Sequence, residues 1–537
     1  MALAVSAQTP VGTAAPTASL ARRFGVPGAI ASTMMALAAV SVGWISAASG
    51  LGFIPLVATL RDQPWATATA KIVFFIGAGW LLQVWLRLGH YLRTTESDAD
   101  PAAVRRLLLW WALPLALGPV LFSRDVFSYI ADSRLLPNGI DPYQYGTGVL
   151  HTFYTDGADA MWKAAPAPYG PAWIGLSTLV YWLTGATAVP ALIAFRLIAV
   201  VGVVLIAIYL PRLARACGAD VPMALWLGLL NPILVFHFVS AAHNDAIMAG
   251  LLVMGMALTM EGRPVLGVLV VTTAGAVKAP ALVALAFVGL VWAGPGASWL
   301  TRALRWAQAA ALAAATFTLI NLASGVGWGW VSSLGTPGDV RTWLSPTTAM
   351  GMALGSLVQA LGLGYHVPTV VSVARLLGEA VAVTVVGYLI VTGERRSPVR
   401  GLGLSLLAIV VFGPVVQPWY LMWGLLMLAA AGLAQREIRA AALGTVGFAV
   451  YSVANTGATV DGAGGTVGAL ADGYAVLTSI AIVLVLLVAS RTTRSLLLDD
   501  GLPDQRGTTD LSVSGAADRA GAVEPATAAD ATAADAG

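Results

Sequence analysis

Five ionisable side chains fall within FSRDVFSYIADSRLLPNGIDPY, residues 122–143: Arg124, Asp125, Asp132, Arg134 and Asp141. Asp125 stands just past an apolar run from Arg105 to Phe122. A carboxylate at such a junction can take a proton from an attacking hydroxyl as a general base. It can equally hold a divalent metal, or simply pair with Arg124 at a helix end. Ionisable groups at membrane depth are costly and tend to mark functional cavities. Asp132 and Arg134 read as a salt bridge or solvated face, and Asp141 as a turn residue in GIDPY.

Lys278 interrupts a run that is apolar from Val265 to Trp292, in a chain whose other lysines are Lys71 and Lys163. It reads either as a side chain snorkelling to the surface or as a cation for a phosphate group. Arg196 and Arg341 are candidates for the same role, because a departing phosphate needs neutralising charge. In His243-Asn244-Asp245, Asn244 or Asp245 can cap a helix, while His243 beside Asp245 can orient a substrate hydroxyl. Tyr169 lies in APAPYGP, a further polar motif. Trp343, Trp419, Tyr420 and Trp423 suit an interfacial aromatic belt or the stacking of sugar rings. No histidine spacing suits a metal, so a divalent metal stays open only through Asp125. Cys217, alone, excludes a disulfide framework. No phosphate-binding loop, dinucleotide fingerprint or hydrolase elbow is present, which argues against nucleotide chemistry.

The elements that must position these residues are membrane helices. Hydrophobic residues make up 58% of the 537 and charged residues 10%, with a mean hydropathy of +0.81. Soluble domains carry far more charge. Apolar runs long enough to span, given about 20 residues per crossing, lie near 29–50, 70–88, 105–121, 188–211, 222–239, 245–260, 306–323, 368–392, 418–433, 440–456 and 470–490. Shorter ones lie near 264–277, 279–293 and 401–413. The arginine-rich connections (Arg22/Arg23, Arg87 to Arg106, Arg212/Arg215, Arg302/Arg305, Arg395 to Arg400, Arg436/Arg439 and Arg491/Arg494) should face the cytoplasm. That holds only if 171–186 and 346–361 do not cross, but belong to long outer loops at about 122–187 and 324–367. The expectation is an all-α polytopic bundle, residues 28–490, of about 14 transmembrane helices. Both loops carry juxtamembrane helices. Tails 1–27 and 491–537 should be disordered and cytoplasmic, the protein a multi-pass one of the plasma membrane. The polar motifs then converge on the outer face.

SRDVFSY, GIDPY, APYGP, HNDAIM, VKAP, GVGWGWV, TWLSPT and QPWYLMW, in this order, resemble the actinobacterial polyprenol-phosphomannose-dependent α-1,6-mannosyltransferases. These are glycosyltransferases of the GT-C class that build the mannan of lipomannan and lipoarabinomannan. The resemblance runs from about Arg105 to Arg439. It implies an inverting transfer of mannose from polyprenyl phosphomannose to a mannosylated phosphatidylinositol or other lipid-anchored mannan, with no nucleic acid involved. It also implies Asp125 as the base and Lys278 and Arg196 as phosphate-binding cations. Arg124, Tyr169, His243, Asn244, Asp245, Trp343, Trp419 and Tyr420 are further candidate substrate contacts. The alternative is a lipid-linked saccharide flippase or transporter. Such proteins often carry paired repeats with broken helices, and no convincing pair is visible.

Overall fold

Most of each apolar run of the sequence becomes helical, and the polar motifs fall where helices stop or start. The computed structural model describes residues 20–94, 99–152, 157–364, 366–393, 397–458 and 466–498, and among them no strand forms. By length and apolarity, five helices qualify as membrane spans: Ala21–Val42, Pro64–Thr94, Ala188–Ala216, Trp299–Ser324 and Val367–Thr392. Val221–Leu229 and Leu234–Ser240 together make a sixth, bent by 58°. Shorter apolar helices, such as Asp245–Met260, Pro264–Val277 and Pro398–Phe412, complete the bundle. Length and composition alone therefore do not reach the expected fourteen crossings.

The bend has a local cause. Pro232 has no N–H to give, and Asn231 replaces the lost pairing with its side chain. Its Oδ1 accepts from Ile233 N at 2.9 Å, while Nδ2 donates to Leu227 O at 3.0 Å and Thr445 Oγ1 at 2.9 Å. Both arms contain wide π-type turns, which often accompany functional sites. The bent pair is buried, and so is Asp245–Met260 along most of its length. That helix packs on Ala188–Ala216 through two glycines. A Cβ on Gly202 would lie 2.2 Å from the Ala246 carbonyl, and one on Gly250 2.4 Å from the Gly202 oxygen. Small residues let apolar helices approach where no hydrophobic force separates protein from lipid. The outward faces are apolar too: Leu197 and Val201 on one helix and Leu376, Leu377 and Val383 on another are exposed, as lipid contact requires.

The two runs expected not to cross form Pro171–Thr184 and Pro346–Ala360. The second lies against the first half of Val367–Thr392, where Gly351 and Gly355 come close to Val371 and Val367. Three boundaries differ from expectation. The run 29–50 stops being helical at Val42, and Pro55–Asp62 forms a short helix; Arg61 anchors it by donating to Gly43 O at 2.9 Å. Ala21–Gly25, assigned to a disordered tail, already forms a helical turn, because Phe24 is buried and its carbonyl accepts from Trp111 Nε1 at 3.0 Å. Arg491–Leu498 is also helical and packs on Pro64–Thr94. The remaining tail expectations, 1–19 and 499–537, and Arg395 and Arg396, lie outside the described residues.

Gly202→Leu should abolish folded protein, read as loss of the monodisperse peak in detergent size-exclusion. Gly387→Ala, where a Cβ meets nothing within 4 Å, should leave that peak intact and raise the melting temperature slightly, because alanine is favoured over glycine in a helix by about 1 kcal/mol.

Candidate active site

Where the helix Pro101–Leu117 ends at Gly118, the chain runs through an irregular stretch to Asp125, the first residue of Asp125–Asp132. Within it Phe122 adopts a left-handed backbone (φ +69°), held by stacking of its ring on Phe236 at 4.3 Å. Arg124 does not pair with Asp125. Its Nε donates to Gly157 O at 2.9 Å and its Nη2 to Ala158 O at 3.1 Å, so it ties down the loop. The Asp125 side chain is 15% exposed. Burial pushes its carboxyl up to about 6, against the opposing effect of Lys278; Asp245 adds to the rise, and hydrogen bonds from Trp162 and Ser123 reduce it. Near neutral pH the group is thus mostly ionised yet only just so, which suits a general base.

Three other breaks bring their residues beside it. The turn Ala241–Asn244 puts His243 Nδ1 3.4 Å from Asp125 Oδ2, with the imidazole fully buried. The same turn starts the helix Asp245–Met260, whose first carboxylate is also fully buried. Lys278, in extended backbone after Pro264–Val277, reaches it with Nζ at 3.0 Å from Oδ1 and 2.8 Å from Oδ2 of Asp245. Trp423 Nε1 donates to the same Oδ1 at 2.7 Å. Lys278 therefore turns inward instead of snorkelling. Its Nζ also lies over Tyr420 at 4.8 Å and Trp423 at 5.4 Å, a cation–π setting. Gly170 places Tyr169 nearby: its N–H donates to Val277 O at 3.1 Å, and any Cβ there would strike the Ala276 carbonyl.

Two cavities open here. One, of about 320 Å³, has a mixed wall whose polar groups include Arg124, Asp159, His237, Arg341, Thr342 and Asn455. The other, of about 410 Å³, has a more apolar wall, including Tyr169, Ile409, Val410, Val415, Tyr420 and Trp423, with Lys278 and Glu379. Asp125, Trp162, Gln417 and Trp419 line both. Asp125 thus stands at their junction.

The candidate residues separate by position. Asp125, Arg124, Tyr169, Lys278, Trp419 and Tyr420 face the cavities. His243, Asn244 and Asp245 form a buried layer behind them; Asn244 Oδ1 accepts from Tyr129 at 3.3 Å. Arg196 lines neither cavity. It donates to Ala116 O at 2.8 Å and Ser240 O at 3.2 Å, stapling two helix ends together. Trp343 is 71% exposed and outside both cavities, where its neighbours Arg341 and Thr342 provide the lining. Asp132, read as part of a salt bridge or solvated face, is buried, and Arg134 donates instead to Thr152 and to Ala186 O. Glu379 was missed, although a lone carboxylate inside the apolar run 367–392 was a visible signal. Trp162 carries no such signal, and Gln417 is marked only by its place in QPWYLMW. Among the described residues no three His, Cys, Asp or Glu side chains gather as a metal site.

Comparison with known proteins covers most of this architecture. Residues 25–294 match the family model described as alpha-(1->6)-mannopyranosyltransferase, N-terminal domain, and residues 347–492 match the MptB C-terminal domain. The chain is 35% identical over 395 residues to a probable alpha-(1->6)-mannopyranosyltransferase of Mycolicibacterium smegmatis, covering 66% of this chain and 69% of the relative. It is 34% identical over 391 residues to alpha-(1->6)-mannopyranosyltransferase A of Mycobacterium tuberculosis, covering 70% and 73%. With alpha-(1->6)-mannopyranosyltransferase B of Corynebacterium glutamicum the identity is 27% over 395 residues, covering 67% and 65%.

Burial raises Asp132 to about 7, with the Asp125 charge adding to it, from an ordinary 3.8. The folded state then keeps a proton that the unfolded chain releases. Stability contributed by this group is present below about pH 4 and lost as pH rises through about 7. Asp132→Asn should remove that loss. Its melting temperature in detergent should exceed that of wild type at pH 8, and the difference should shrink towards pH 5.

Proposed function

We propose, for a chain that belongs to the alpha-(1->6)-mannopyranosyltransferase family and is a membrane mannosyltransferase, that it draws mannose from polyprenyl phosphomannose and adds it to a lipid-anchored α-1,6-mannan. The observation that carries this reading is the position of Asp125 at the junction of two cavities, one of mixed polarity and one mostly apolar. A saccharide acceptor suits the first cavity, with its hydroxyl, amide and guanidinium groups. A polyprenyl chain suits the second, whose cation Lys278 lies where a phosphate would enter. The two substrates then approach the carboxylate from opposite sides.

In this mechanism Asp125 takes the proton from the O6 hydroxyl of a terminal mannose on the acceptor. The oxygen attacks the anomeric carbon of the donor as its bond to the phosphate oxygen breaks. A β-linked donor gives an α-linked product in one displacement, through an oxocarbenium-like transition state. Polyprenyl phosphate leaves with the bonding electrons, and Lys278 offsets the developing negative charge. Asp245 keeps the lysine aimed and charged while no phosphate is present; on donor binding the phosphate competes with it. No soluble nucleotide sugar takes part. We place the site on the outer face of the plasma membrane in a multi-pass chain with both termini cytoplasmic. The supports are the arginine pattern of the connections and the gathering of all the site's helix breaks at ends opposite those arginines.

Washed membranes containing the protein should transfer mannose from synthetic polyprenyl phosphomannose to a short α-1,6-mannoside, and not from GDP-mannose alone. Asp125→Ala at normal abundance should lose about 10²–10⁴-fold in rate; wild-type turnover in that variant would remove Asp125 as the base. In wild type the rate should fall as pH drops through about 6, because a protonated Asp125 cannot accept the proton. Lys278→Met alone should lower abundance, since it strands the buried Asp245 charge. Combining it with Asp245→Asn should restore abundance and leave the donor KM raised. An unchanged donor KM in the double variant would show that Lys278 does not meet the phosphate.

A further inference from the structure

His243 has no role in substrate contact that its position allows. It is fully buried and lines neither cavity. Yet neither ring nitrogen has a well-formed hydrogen bond, and a buried polar group without a partner is costly enough to require a reason. Among the described residues the charged group in contact with it is the Asp125 carboxylate, with Nδ1 3.4 Å from Oδ2. Hydrogen bonds at catalytic groups are often long before substrate binds and shorten in the complex.

The surroundings hold this geometry from several sides. The ring stacks on Trp419 at 3.8 Å and 26°, and Trp419 lines both cavities. The backbone N–H of His243 donates to His237 O at 3.1 Å, which closes the turn. Ala242, immediately before it, has φ +55°, and Phe122, three residues before Asp125, has φ +69°. Left-handed backbone at a residue with a Cβ costs about 1–3 kcal/mol and persists only where packing imposes it. Two of the four such residues found among the described ones thus lie just ahead of the two partners.

The titratable or charged groups facing the ring are Asp125, His237 and Lys278. His237 is occupied elsewhere, its Nε2 2.9 Å from Ser452 Oγ. Full burial disfavours an imidazolium here, and His237 and Lys278 oppose it further. A neutral ring carries one proton, which is best used on the nitrogen that faces the carboxylate.

We infer that His243 is the positioning residue of the Asp125 base: its neutral imidazole presents Nδ1–H to Oδ2, so that Oδ1 is the oxygen turned to the acceptor hydroxyl. This rests on the reading of Asp125 as base. No proton passes to the histidine. The hydroxyl proton moves to Oδ1, and the Nδ1–H···Oδ2 contact fixes the carboxylate's rotation while favouring its ionised form.

The test uses His243→Phe, which keeps the stack on Trp419 but lacks the donor, and His243→Asn, whose amide can replace Nδ1–H. His243→Phe should lose about tenfold or more in kcat, with donor KM within about twofold. The acid limb of its pH–rate profile should move up by about one unit, because the ionised carboxylate loses a donor. His243→Asn should recover most of both. A wild-type kcat and limb in His243→Phe overturns the inference; so does a kcat loss with an unmoved limb, or an equal loss in both variants, since either marks packing alone. If wild-type membranes transfer no mannose from the lipid donor, the proposed function fails by itself. The inference is then decided without turnover, by infrared titration of the Asp125 carboxyl stretch, taken as the difference from Asp125→Asn. Its midpoint must be higher in His243→Phe than in wild type, and an equal midpoint overturns it.

Discussion

The buried pair of Lys278 and Asp245 is the contact on which the site's architecture depends. A full charge away from water is tolerable only with a partner and with its remaining hydrogen-bonding capacity used. Asp245 receives both oxygens' worth of lysine contact and an indole N–H from Trp423. Those three residues come from three separate elements: the start of Asp245–Met260, the break after Pro264–Val277, and the helix Leu421–Ala431. Satisfying one carboxylate therefore fixes three helix ends against each other. Tyr420, stacked on Trp423 at 4.1 Å, and Tyr169, set by the glycine that follows it, complete the wall around the ammonium.

Irregular backbone in a lipid-embedded protein must be buried in protein or line a cavity, because lipid offers its N–H and C=O groups no partners. The breaks in this bundle obey that rule. The stretches before Asp125, at Ala241–Asn244, at Lys278 and at Gly413–Tyr420 all contribute to one pair of adjoining cavities or to the layer directly behind them. Arg196 shows the same economy in a structural role. Its guanidinium accounts for two carbonyls that helix ends would otherwise leave without donors. The result is a site whose charged groups are pre-oriented by backbone that has nowhere else to go.

Much of this was legible in the chain itself, for identifiable reasons. Apolar runs of sufficient length become helices in any arrangement, so the helix positions followed from composition, including the two shorter-lying helices Pro171–Thr184 and Pro346–Ala360. Asp125 and Lys278 stood out because charge is scarce in this sequence, and scarcity makes each ionisable residue informative. Charge type alone says less about partners. Arg124 lines a cavity and also ties a loop, Arg196 staples helix ends away from the cavities, and Asp132 is buried without the expected arginine. Trp343 was assigned from its aromatic face, and its neighbours line the cavity instead. Spacing along a chain says which residues share a helix face, not which carbonyl lies across the next helix.

By itself the sequence determined the class of fold, the approximate positions of most helices, and the few residues able to carry charge into an apolar bundle. Each of these is a local consequence of hydropathy, proline and glycine placement, and charge count. Tertiary structure decided the pairings: that Lys278 answers Asp245, that His243 answers Asp125, and that one carboxylate faces two cavities of different polarity. Those outcomes join residues 33 and 118 positions apart in the chain. They depend on how helices cross and how closely glycines such as Gly202 let them approach, which no local pattern encodes.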